Sequence, residues 1–387
     1  MEDLRIGVIG AGGRGSIAKH AHKPGGGSRV VACCDTVPEH LDQAREWYGS
    51  DIFTTADYRT LLEQELDAVF VTTPDFLHEE HTLAALEAGV AVYLEKPMAI
   101  TIAGCDRILE AARARSVRLY LGHNMRHMSF VRKMKQLIDA GLIGEVKTAW
   151  CRHFVGNGGD FYFKDWHADR RLSTGLLLQK AAHDIDVLHW LCGAYATRVN
   201  AMGSLSVYGE ITDRHDPEEP GNAKANHDNW PPLSQTQLNP VVDVEDVSML
   251  QMQLENGVLA SYQQCHFAPD YWRNYTIIGT EGRIENFGDG AEGTTIRLWN
   301  RRTNWNPEGD EVFSLDEETG GHGGADPKIV GEFVRFVREG GPIDTSPVAA
   351  RYSVAVGVQA TESLRSGGVP RDVPRLDAEV EEYFAGE

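Results

Sequence analysis

Arg-Ile-Gly-Val-Ile-Gly-Ala-Gly-Gly-Arg-Gly, residues 5–15, decides the fold of this chain. Residues 5–9 form a short apolar run typical of a buried strand, and residues 10–15 match the pattern G-x-G-x-x-G. Such glycines permit a tight turn, let backbone approach a pyrophosphate, and let the next helix pack on the strand. The free N–H groups that begin that helix favour phosphate. The stretch therefore predicts a dinucleotide site whose candidate residues are Gly10, Gly12, Gly13, Arg14 and Gly15.

The next apolar run ends at Asp35, twenty residues after Gly15. At this position a carboxylate accepts hydrogen bonds from the ribose hydroxyls. A carboxylate would also repel a 2′-phosphate, and residues 36–38 supply no arginine to bind one, so NAD is predicted in preference to NADP. Residues 72–75, Thr-Thr-Pro-Asp, end a further strand, and they either contact the cofactor through their backbone or form a simple turn.

The first third of the chain alternates between short apolar runs and helical stretches. The runs are rich in β-branched residues and lack polar alternation, which is typical of strands buried on both faces. Strands are predicted at 5–9, 30–34, 68–72, 91–94 and 118–121, and helices at 40–48, 79–88 and 102–114. This order predicts a doubly wound parallel sheet, a Rossmann domain over residues 1–123.

Residues 124–387 have a different pattern and are predicted to form a second, α+β domain for substrate binding and oligomerisation. Alternating strands at 146–153, 199–207, 248–254, 258–266 and 275–279 indicate an open, largely antiparallel sheet. Helices are predicted at 130–140, 176–191, 327–339 and 348–366. Residues 208–240 lack periodicity and are interpreted as a long, irregular, solvated insertion, whose His and Asp residues are not spaced as metal ligands.

Composition excludes several classes of partner. The net charge of −20 disfavours binding to nucleic acid or to an anionic membrane surface, and no apolar run approaches the ~20 residues of a membrane span. The six cysteines are scattered and the N-terminus lacks a secretory pattern, so we expect reduced thiols, no metal site and a cytoplasmic protein.

A family resemblance rests on Gly89 followed by Tyr-Leu-Glu-Lys-Pro at 93–97. With the glycine turn, Thr73-Pro74 and His78, Arg126, and a later helix that carries His183, this motif resembles the Gfo/Idh/MocA oxidoreductases. The resemblance implies hydride transfer between nicotinamide and a sugar or cyclitol hydroxyl carbon, and a homodimer or homotetramer built through the second sheet. It implies that Lys96 hydrogen-bonds the reacting hydroxyl and that the cofactor lies near Thr73, Pro74, His78, Glu95, Lys96 and Pro97.

One face of the predicted helix 176–191 carries Gln179, Lys180, His183 and Asp186. An imidazole suits proton transfer near neutral pH, and Asp186 could orient it. The usual family motif has aspartate where this chain has Gln179, which cannot transfer a proton, so His183 lacks that partner and Lys180 is a possible substitute. The alternative is a solvated polar face with a structural histidine.

Further substrate-binding candidates precede this helix, namely Arg126, Tyr162 and Trp166. Aromatic and arginine side chains suit a sugar, but a protein interface uses the same types. The favoured function is an NAD-dependent dehydrogenase of a sugar, glycoside or cyclitol. The alternatives are a redox-neutral, NAD-dependent glycosidase of the same family and a non-catalytic NAD or sugar sensor.

Overall fold

The structure is a computed structural model that describes residues 2–219, 221, 223–290, 292–316 and 318–385. The chain divides into two compact units. The first comprises Met1–His127, Gly320–Arg351 and Leu376–Glu387, and the second comprises Met128–Thr319 and Tyr352–Arg375.

The strands are, in chain order, β1 (Leu4–Ile9), β2 (Ser28–Cys34), β3 (Phe53–Thr55), β4 (Ala68–Val71), β5 (Ala91–Leu94), β6 (Leu119–Leu121), β7 (Val146–Phe154), β8 (Ala196–Ser204), β9 (Val247–Leu254), β10 (Leu259–Cys265), β11 (Trp272–Gly279), β12 (Arg283–Phe287), β13 (Thr295–Trp299), β14 (Glu311–Ser314) and β15 (Arg371–Asp372). The α-helices are α1 (Pro38–Tyr48), α2 (Tyr58–Leu62), α3 (His78–Glu87), α4 (Ile102–Arg115), α5 (Ser129–Asp139), α6 (Gly158–Tyr162), α7 (Arg170–Ser173), α8 (Leu176–Gln179), α9 (Ala181–Cys192), α10 (Gly321–Glu339), α11 (Pro347–Arg365) and α12 (Ala378–Ala385). No helix in the described part of the chain is both long enough and apolar enough to cross a bilayer.

The first unit contains a six-stranded parallel sheet in the order β3-β2-β1-β4-β5-β6. This is the strand order of a dinucleotide-binding Rossmann domain, and it confirms the predicted doubly wound sheet. All residues of β4, β5 and β6 are buried, as their unbroken apolar sequences predict. The sequence patterns missed β3 and α2, which have only three and five residues.

The second unit contains a nine-stranded sheet in the order β14-β13-β12-β11-β7-β10-β9-β8-β15. Within the described residues only the β7–β10 pair of this sheet is parallel, so the sheet is largely antiparallel, as predicted. Alternate residues of β9 are buried and exposed, which gives the sheet one covered and one open face. The open face carries Met202, Met249 and Leu259, each about half exposed or more.

Helix α10 belongs to the first unit, although its residues lie within the predicted second domain, 124–387. The reason is aromatic packing. Tyr93 stacks on Phe70 and on Tyr120 at ring-centroid distances of 4.6 and 5.8 Å, and Phe333 of α10 packs 5.2 Å from Phe70. All four rings are fully buried. The strand sequences show that these rings are apolar but not which helix covers them.

The irregular insertion, residues 208–240, is anchored in the core of the second unit rather than solvated throughout. Tyr208 and Leu238, near its two ends, are 2% and 0% exposed and share an apolar cluster with Phe163. The Asp246 carboxylate accepts the backbone N–H groups of Val207 and Tyr208 at 2.7 and 2.9 Å. Both ends of the insertion are therefore held by buried contacts.

Candidate active site

The glycine turn of the first unit has the close approaches that its sequence predicts. Gly10 has a φ of +90°, and a Cβ at this position would lie 2.8 Å from the backbone nitrogen of Thr73. A Cβ at Gly15 would lie 2.2 Å from the carbonyl oxygen of Gly10. The turn opens the predicted helix, which is a nine-residue 3₁₀ helix, Gly13–Ala21. A side chain would therefore fill the cradle against which a dinucleotide backbone packs.

We expect Gly15→Ala to weaken both folding and NAD binding, because its Cβ would meet backbone that cannot move away freely. Overpacking of this kind costs roughly 1–3 kcal/mol of unfolding free energy. Thermal unfolding and an NAD titration of the purified variant measure both effects.

Gly331→Ala is the matched control, because a Cβ there has no neighbour within 4 Å on helix α10. This control should unfold at or slightly above the wild-type temperature. Wild-type NAD affinity in Gly15→Ala would contradict a cofactor role for the turn.

The carboxylate of Asp35 lies at the end of β2, beside the glycine turn. Its Oδ2 accepts the Gly12 N–H at 3.0 Å, and its Oδ1 accepts the Val37 N–H at 2.9 Å. His40 also lies here, with Nδ1 3.2 Å from Asp35 Oδ1, and a Cβ at Gly12 would lie 2.3 Å from its ring. The sequence patterns missed His40, which stands in the first turn of α1 with no motif to mark it.

Two loops at the carboxyl ends of β4 and β5 are joined by His78. Its two ring nitrogens lie 2.6 Å from the Pro97 carbonyl oxygen and 2.9 Å from the Thr73 carbonyl oxygen. The side chain of Thr72 donates to the carbonyl of Gly10 at 2.7 Å. His78, predicted near the cofactor, thus positions the two loops through both of its ring nitrogens.

Arg14 connects the glycine turn to β5 and α10. Its Nε lies 2.6 Å from Glu95 Oε1, and its two terminal nitrogens donate to Asp326 at 2.8 and 3.0 Å. Burial alone would raise the pKa of Asp326. Hydrogen bonds from His322 and Arg14 outweigh this effect and hold the pKa well below its usual range. Arg14 and Glu95 were predicted to bind cofactor, and here their charged groups bind each other. Lys96, at the end of the same strand, is half-buried, and its backbone N–H donates to Glu95.

Arg126, predicted to bind substrate, is buried in the first unit. Its guanidinium donates to the backbone carbonyl of Asp344 at 2.8 Å.

Nearby, His127, Glu332 and Asp344 bring possible metal-ligand atoms within 4.8 Å of one another. Tyr120 donates to Glu332 at 2.6 Å, and His127 Nε2 lies 3.5 Å from it, so this group is already linked by hydrogen bonding and charge.

In the second unit the predicted helix 176–191 is two helices, α8 and α9, which meet at Lys180. The predicted single helix is therefore interrupted at Lys180, whose backbone stays in the right-handed helical region with φ −92° and ψ −45°. Gln179 and Asp186 are buried, whereas Lys180 and His183 are half-buried.

A buried ionic cluster lies beside this junction, on the covered face of the nine-stranded sheet. Asp184 is its centre: Arg273 Nε and His153 Nδ1 lie 3.2 Å from its two oxygens, and the hydroxyl of Tyr275 donates to it. Arg273 reaches a second carboxylate, Asp289, at 3.9 Å. Burial alone would raise the pKa of Asp184. The Arg273 charge and the contact with His153 outweigh this effect and hold the pKa well below its usual range. The cluster thus keeps a permanent anion and a permanent cation inside the unit.

Burial and these charges together shift the pKa of Lys180. Burial, and then the Arg273 cation, lower the pKa of Lys180 to about 7, while Asp184 and Asp289 oppose the shift. The cation that lowers this pKa within the second unit is Arg273. Burial and the Lys180 charge likewise lower the pKa of His266 to about 3. An amine that is half-deprotonated near neutral pH can both accept and return a proton.

The ring of Tyr162 lies near the same lysine and belongs to a group of contacting aromatic side chains. Lys180 Nζ lies 5.6 Å from the ring centroid of Tyr162, which makes edge contacts with His167 and His266 at 5.3 and 5.2 Å. Trp166 stacks on His167 at 3.7 Å. The predicted Tyr162 thus lies near Lys180, and the predicted Trp166 is linked to Tyr162 through the ring of His167.

The sequence patterns missed Asp184, Arg273, His153, His266 and Tyr275 as functional residues. A usable signal was present, because charged or imidazole side chains occupied inward positions of β7 and β11 among apolar neighbours. Single strands do not reveal that such positions share one carboxylate.

Taken together, the strand order, the glycine turn and the Asp35 carboxylate define a dinucleotide-binding Rossmann protein with a second, sheet-based domain. Residues 4–123 match the oxidoreductase family with an NAD-binding Rossmann fold, and residues 131–285 match the GFO/IDH/MocA C-terminal domain. The chain belongs to the Gfo/Idh/MocA family, as the resemblance predicts.

Relatives of known or assigned activity are similar over part or most of the chain. A putative oxidoreductase, YteT, of Bacillus subtilis is 27% identical over 75% of this chain and 78% of its own. An inositol 2-dehydrogenase of Ralstonia nicotianae is 34% identical over 49% of this chain and 55% of its own. A 2,7-anhydro-N-acetylneuraminate hydratase of Mediterraneibacter gnavus is 32% identical over 52% and 53%. The matches to the dehydrogenase and the hydratase thus span about half of those relatives' length.

Solved structures share the fold over nearly the whole chain. GenD2 from gentamicin A biosynthesis, in complex with NAD, has a TM-score of 0.76 and 18% identity, covering 97% of each chain. Levoglucosan dehydrogenase, in complex with NADH and levoglucosan, has a TM-score of 0.75 and 21% identity, covering 97% of this chain and 100% of its own. At these identities the likeness establishes the architecture alone.

Proposed function

We propose that this protein is an NAD-dependent dehydrogenase that transfers a hydride between nicotinamide and the hydroxyl carbon of a sugar, glycoside or cyclitol. The observation that carries the proposal is the lysine at the α8–α9 junction, whose pKa is lowered to about 7 among aromatic rings. Family membership supports the cofactor, and the relative named inositol 2-dehydrogenase supports the substrate class.

The protein's part in the reaction is to hold the alcohol and to move its proton. Bound NAD would supply the hydride acceptor, held by the glycine turn and Asp35. Lys180, when neutral, accepts the hydroxyl proton, and Tyr162 and Trp166 bind the ring of the sugar. Lys96 donates a hydrogen bond to the developing alkoxide, and His183 orients the same hydroxyl. We expect Gln179, which lacks a titratable proton, to bind substrate rather than to exchange protons with His183.

NAD is proposed in preference to NADP because Asp35 presents a carboxylate at the ribose position. Asp35→Asn keeps an acceptor oxygen and removes the charge, so we expect the ratio of kcat/KM for NAD over NADP to fall by about tenfold or more.

Steady-state kinetics with both cofactors measure this ratio. Asp42→Asn, an exposed carboxylate on α1 paired with Arg45, is the control and should leave it unchanged. An unaltered ratio in Asp35→Asn would remove the basis for the preference.

A second candidate is a redox-neutral reaction, because one relative is named a hydratase, and hydration involves no net oxidation. In that case the chain would convert a glycoside or anhydro sugar while NAD stayed bound, with no net NADH. Product analysis of the reaction on glycosides, alongside NADH absorbance, separates the two candidates.

We also propose a cytoplasmic homodimer or homotetramer assembled through the nine-stranded sheet. The free thiols of all six cysteines support the location, and the exposed Met202, Met249 and Leu259 of the open face support the interface. Light scattering of the purified chain tests the assembly.

A further inference from the structure

Arg14 of the glycine turn and Asp326 of helix α10 form an ion pair inside the first unit, beside the segment that carries Lys96. The guanidinium donates to both oxygens of Asp326, at 2.8 and 3.0 Å, which is the bidentate geometry of a strong charge-assisted contact. The carboxylates of Asp326 and Glu95, which both contact Arg14, are buried. Arg14 is therefore committed to contacts within the protein.

The segment that precedes Asp326 is shaped around its carboxylate. Residues 322–324 all have a positive φ, between 52° and 78°, and His322 Nδ1 lies 3.0 Å from Asp326 Oδ2. A left-handed backbone is unfavourable for a histidine and persists where surrounding contacts enforce it. A Cβ at Gly321 would lie 2.2 Å from the same oxygen, and Asn124 donates to the other oxygen at 3.2 Å. Both oxygens of Asp326 are thus held in place.

Glu95 carries the contact from Arg14 to the backbone of Lys96. Its Oε1 lies 2.6 Å from Arg14 Nε, and its Oε2 accepts the Lys96 N–H at 3.0 Å. The side chain lies against Gly122, just after β6, where a Cβ would lie 3.0 Å from Glu95 Cδ. The carboxylate has little room to turn, so its two oxygens fix the guanidinium of Arg14 relative to the backbone of Lys96.

The chain that follows Lys96 is held as well. The Pro97 carbonyl oxygen lies 2.6 Å from His78 Nδ1, and His78 Nε2 lies 2.9 Å from the Thr73 carbonyl oxygen. The backbone of Lys96 is thus fixed by Glu95 on one side and by His78 on the other. Fixing the backbone on both sides limits the positions that the ammonium group can reach, and such positioning contributes to catalysis.

We propose that Arg14 and Asp326 are positioning residues for Lys96, which they hold through Glu95 at the place where it donates to the developing alkoxide. Because Arg14 also belongs to the glycine turn, the donor and the cofactor-binding turn keep a fixed relation to each other. The proposal rests on the proposed function of Lys96, but the hold on the Lys96 backbone can be measured without any substrate.

The first test is amide hydrogen exchange in Asp326→Asn, followed by NMR. Asparagine keeps the shape of the side chain and removes the charge that holds Arg14. We expect the Lys96 amide to exchange about tenfold faster or more, because the Glu95 carboxylate that accepts its hydrogen bond is held less firmly.

Two controls show whether the effect is local. The Val92 amide of β5, which forms a sheet hydrogen bond of 2.9 Å, should exchange as in wild type, and so should both amides in Glu339→Gln, an exposed carboxylate on α10. An unchanged rate at Lys96, or an equal acceleration at both amides, would overturn the proposal. If Asp326→Asn does not fold, Arg14→Lys replaces it, because lysine keeps the charge but lacks the fork that reaches both carboxylates.

The second test is a double-mutant cycle of Asp326→Asn with Lys96→Met, measured as single-turnover NADH formation at saturating NAD. Asp326→Asn alone should lower the rate by about 10- to 100-fold, while NAD affinity stays within about twofold of wild type. In the Lys96→Met background the same change should cost less than about twofold, because a residue that acts through Lys96 has nothing left to position. Equal losses in both backgrounds would overturn the proposal.

The two tests separate this proposal from the proposed function. Faster exchange at the Lys96 amide, with no NADH formed from any sugar or cyclitol, would support the hold on Lys96 and contradict only the dehydrogenase. A Lys96 amide that stays protected in Asp326→Asn, with NADH formed by the wild type, would contradict only the positioning. Full turnover in Lys96→Met would overturn both.

Discussion

Lys180→Met is expected to lower kcat for alcohol oxidation by about 10²–10⁴-fold, the contribution of a positioned acid–base group. Methionine keeps the length of the side chain and its contact with Tyr162 but cannot accept a proton. NAD affinity should stay at the wild-type value, because the glycine turn and Asp35, which we propose to hold the cofactor, are unchanged in this variant. Single-turnover kinetics and an NAD titration measure the two quantities. Lys135→Met, a lysine paired with Asp139 on α5, is the control.

The sign of the pH dependence follows from the same group. The neutral amine is the base, so kcat/KM for oxidation should rise as pH passes through about 7 and level off above it. The reverse reduction needs the ammonium and should decline over the same interval. The groups that face Lys180 are Arg273 on β11, Asp184 on α9, Asp289, His266 and Tyr162.

Arg273→Gln removes the cation that lowers the pKa of Lys180, so the rising limb should move to higher pH. This change also leaves Asp184 without its buried partner and destabilises the fold. If the variant does not fold, direct titration of the Lys180 amine by NMR in the wild-type protein provides the same information. A titration at the ordinary value of a lysine, or full activity in Lys180→Met, would contradict the role of this residue.

Lys96→Met is the second large effect, with an expected loss of about 10²–10³-fold in kcat, the usual cost of removing a donor to a developing oxyanion. The substitution keeps the backbone N–H that donates to Glu95, and thermal unfolding of the variant verifies its fold. The same single-turnover assay measures it, with Lys135→Met again as the control. Turnover within a few fold of wild type would show that the alkoxide has another donor.

The Rossmann half was predictable from sequence because its signals are local. A glycine turn requires particular residues at fixed spacing, and strands buried on both faces are apolar along their whole length. The predicted strands therefore lie within one or two residues of β1, β2, β4, β5 and β6. The spacing between the glycine turn and Asp35 also predicted the position of this carboxylate, which accepts a hydrogen bond from the N–H of Gly12.

The chemistry of the second unit was only partly predictable because it depends on contacts between distant strands. The sequence indicated Lys180 as a possible proton carrier. The charges around it, however, come from the ion pair of Asp184 and Arg273, which are 89 residues apart in the chain. No periodicity within β7 or β11 indicates that their polar residues meet one carboxylate. The break between α8 and α9 was likewise hidden, because residues 176–191 are compatible with a continuous helix.

The packing of α10 in the first unit could not be predicted for the same reason, because it depends on contacts between residues that are distant in the chain. Its apolar stripe is visible in the sequence, but the complementary surface of Phe70, Tyr93 and Tyr120 is spread over three strands. Helix-to-sheet pairings of this kind are decided by side-chain packing rather than by proximity in sequence.

The most direct test of the central claim is to offer purified protein and NAD a panel of sugars and cyclitols, each also carrying deuterium at the candidate carbon. The dehydrogenase predicts NADH absorbance with at least one substrate, a slower rate with the deuterated form, and deuterium in the NADH. Conversion of a substrate with no net NADH, or NADH whose formation is indifferent to Lys180→Met, would contradict it.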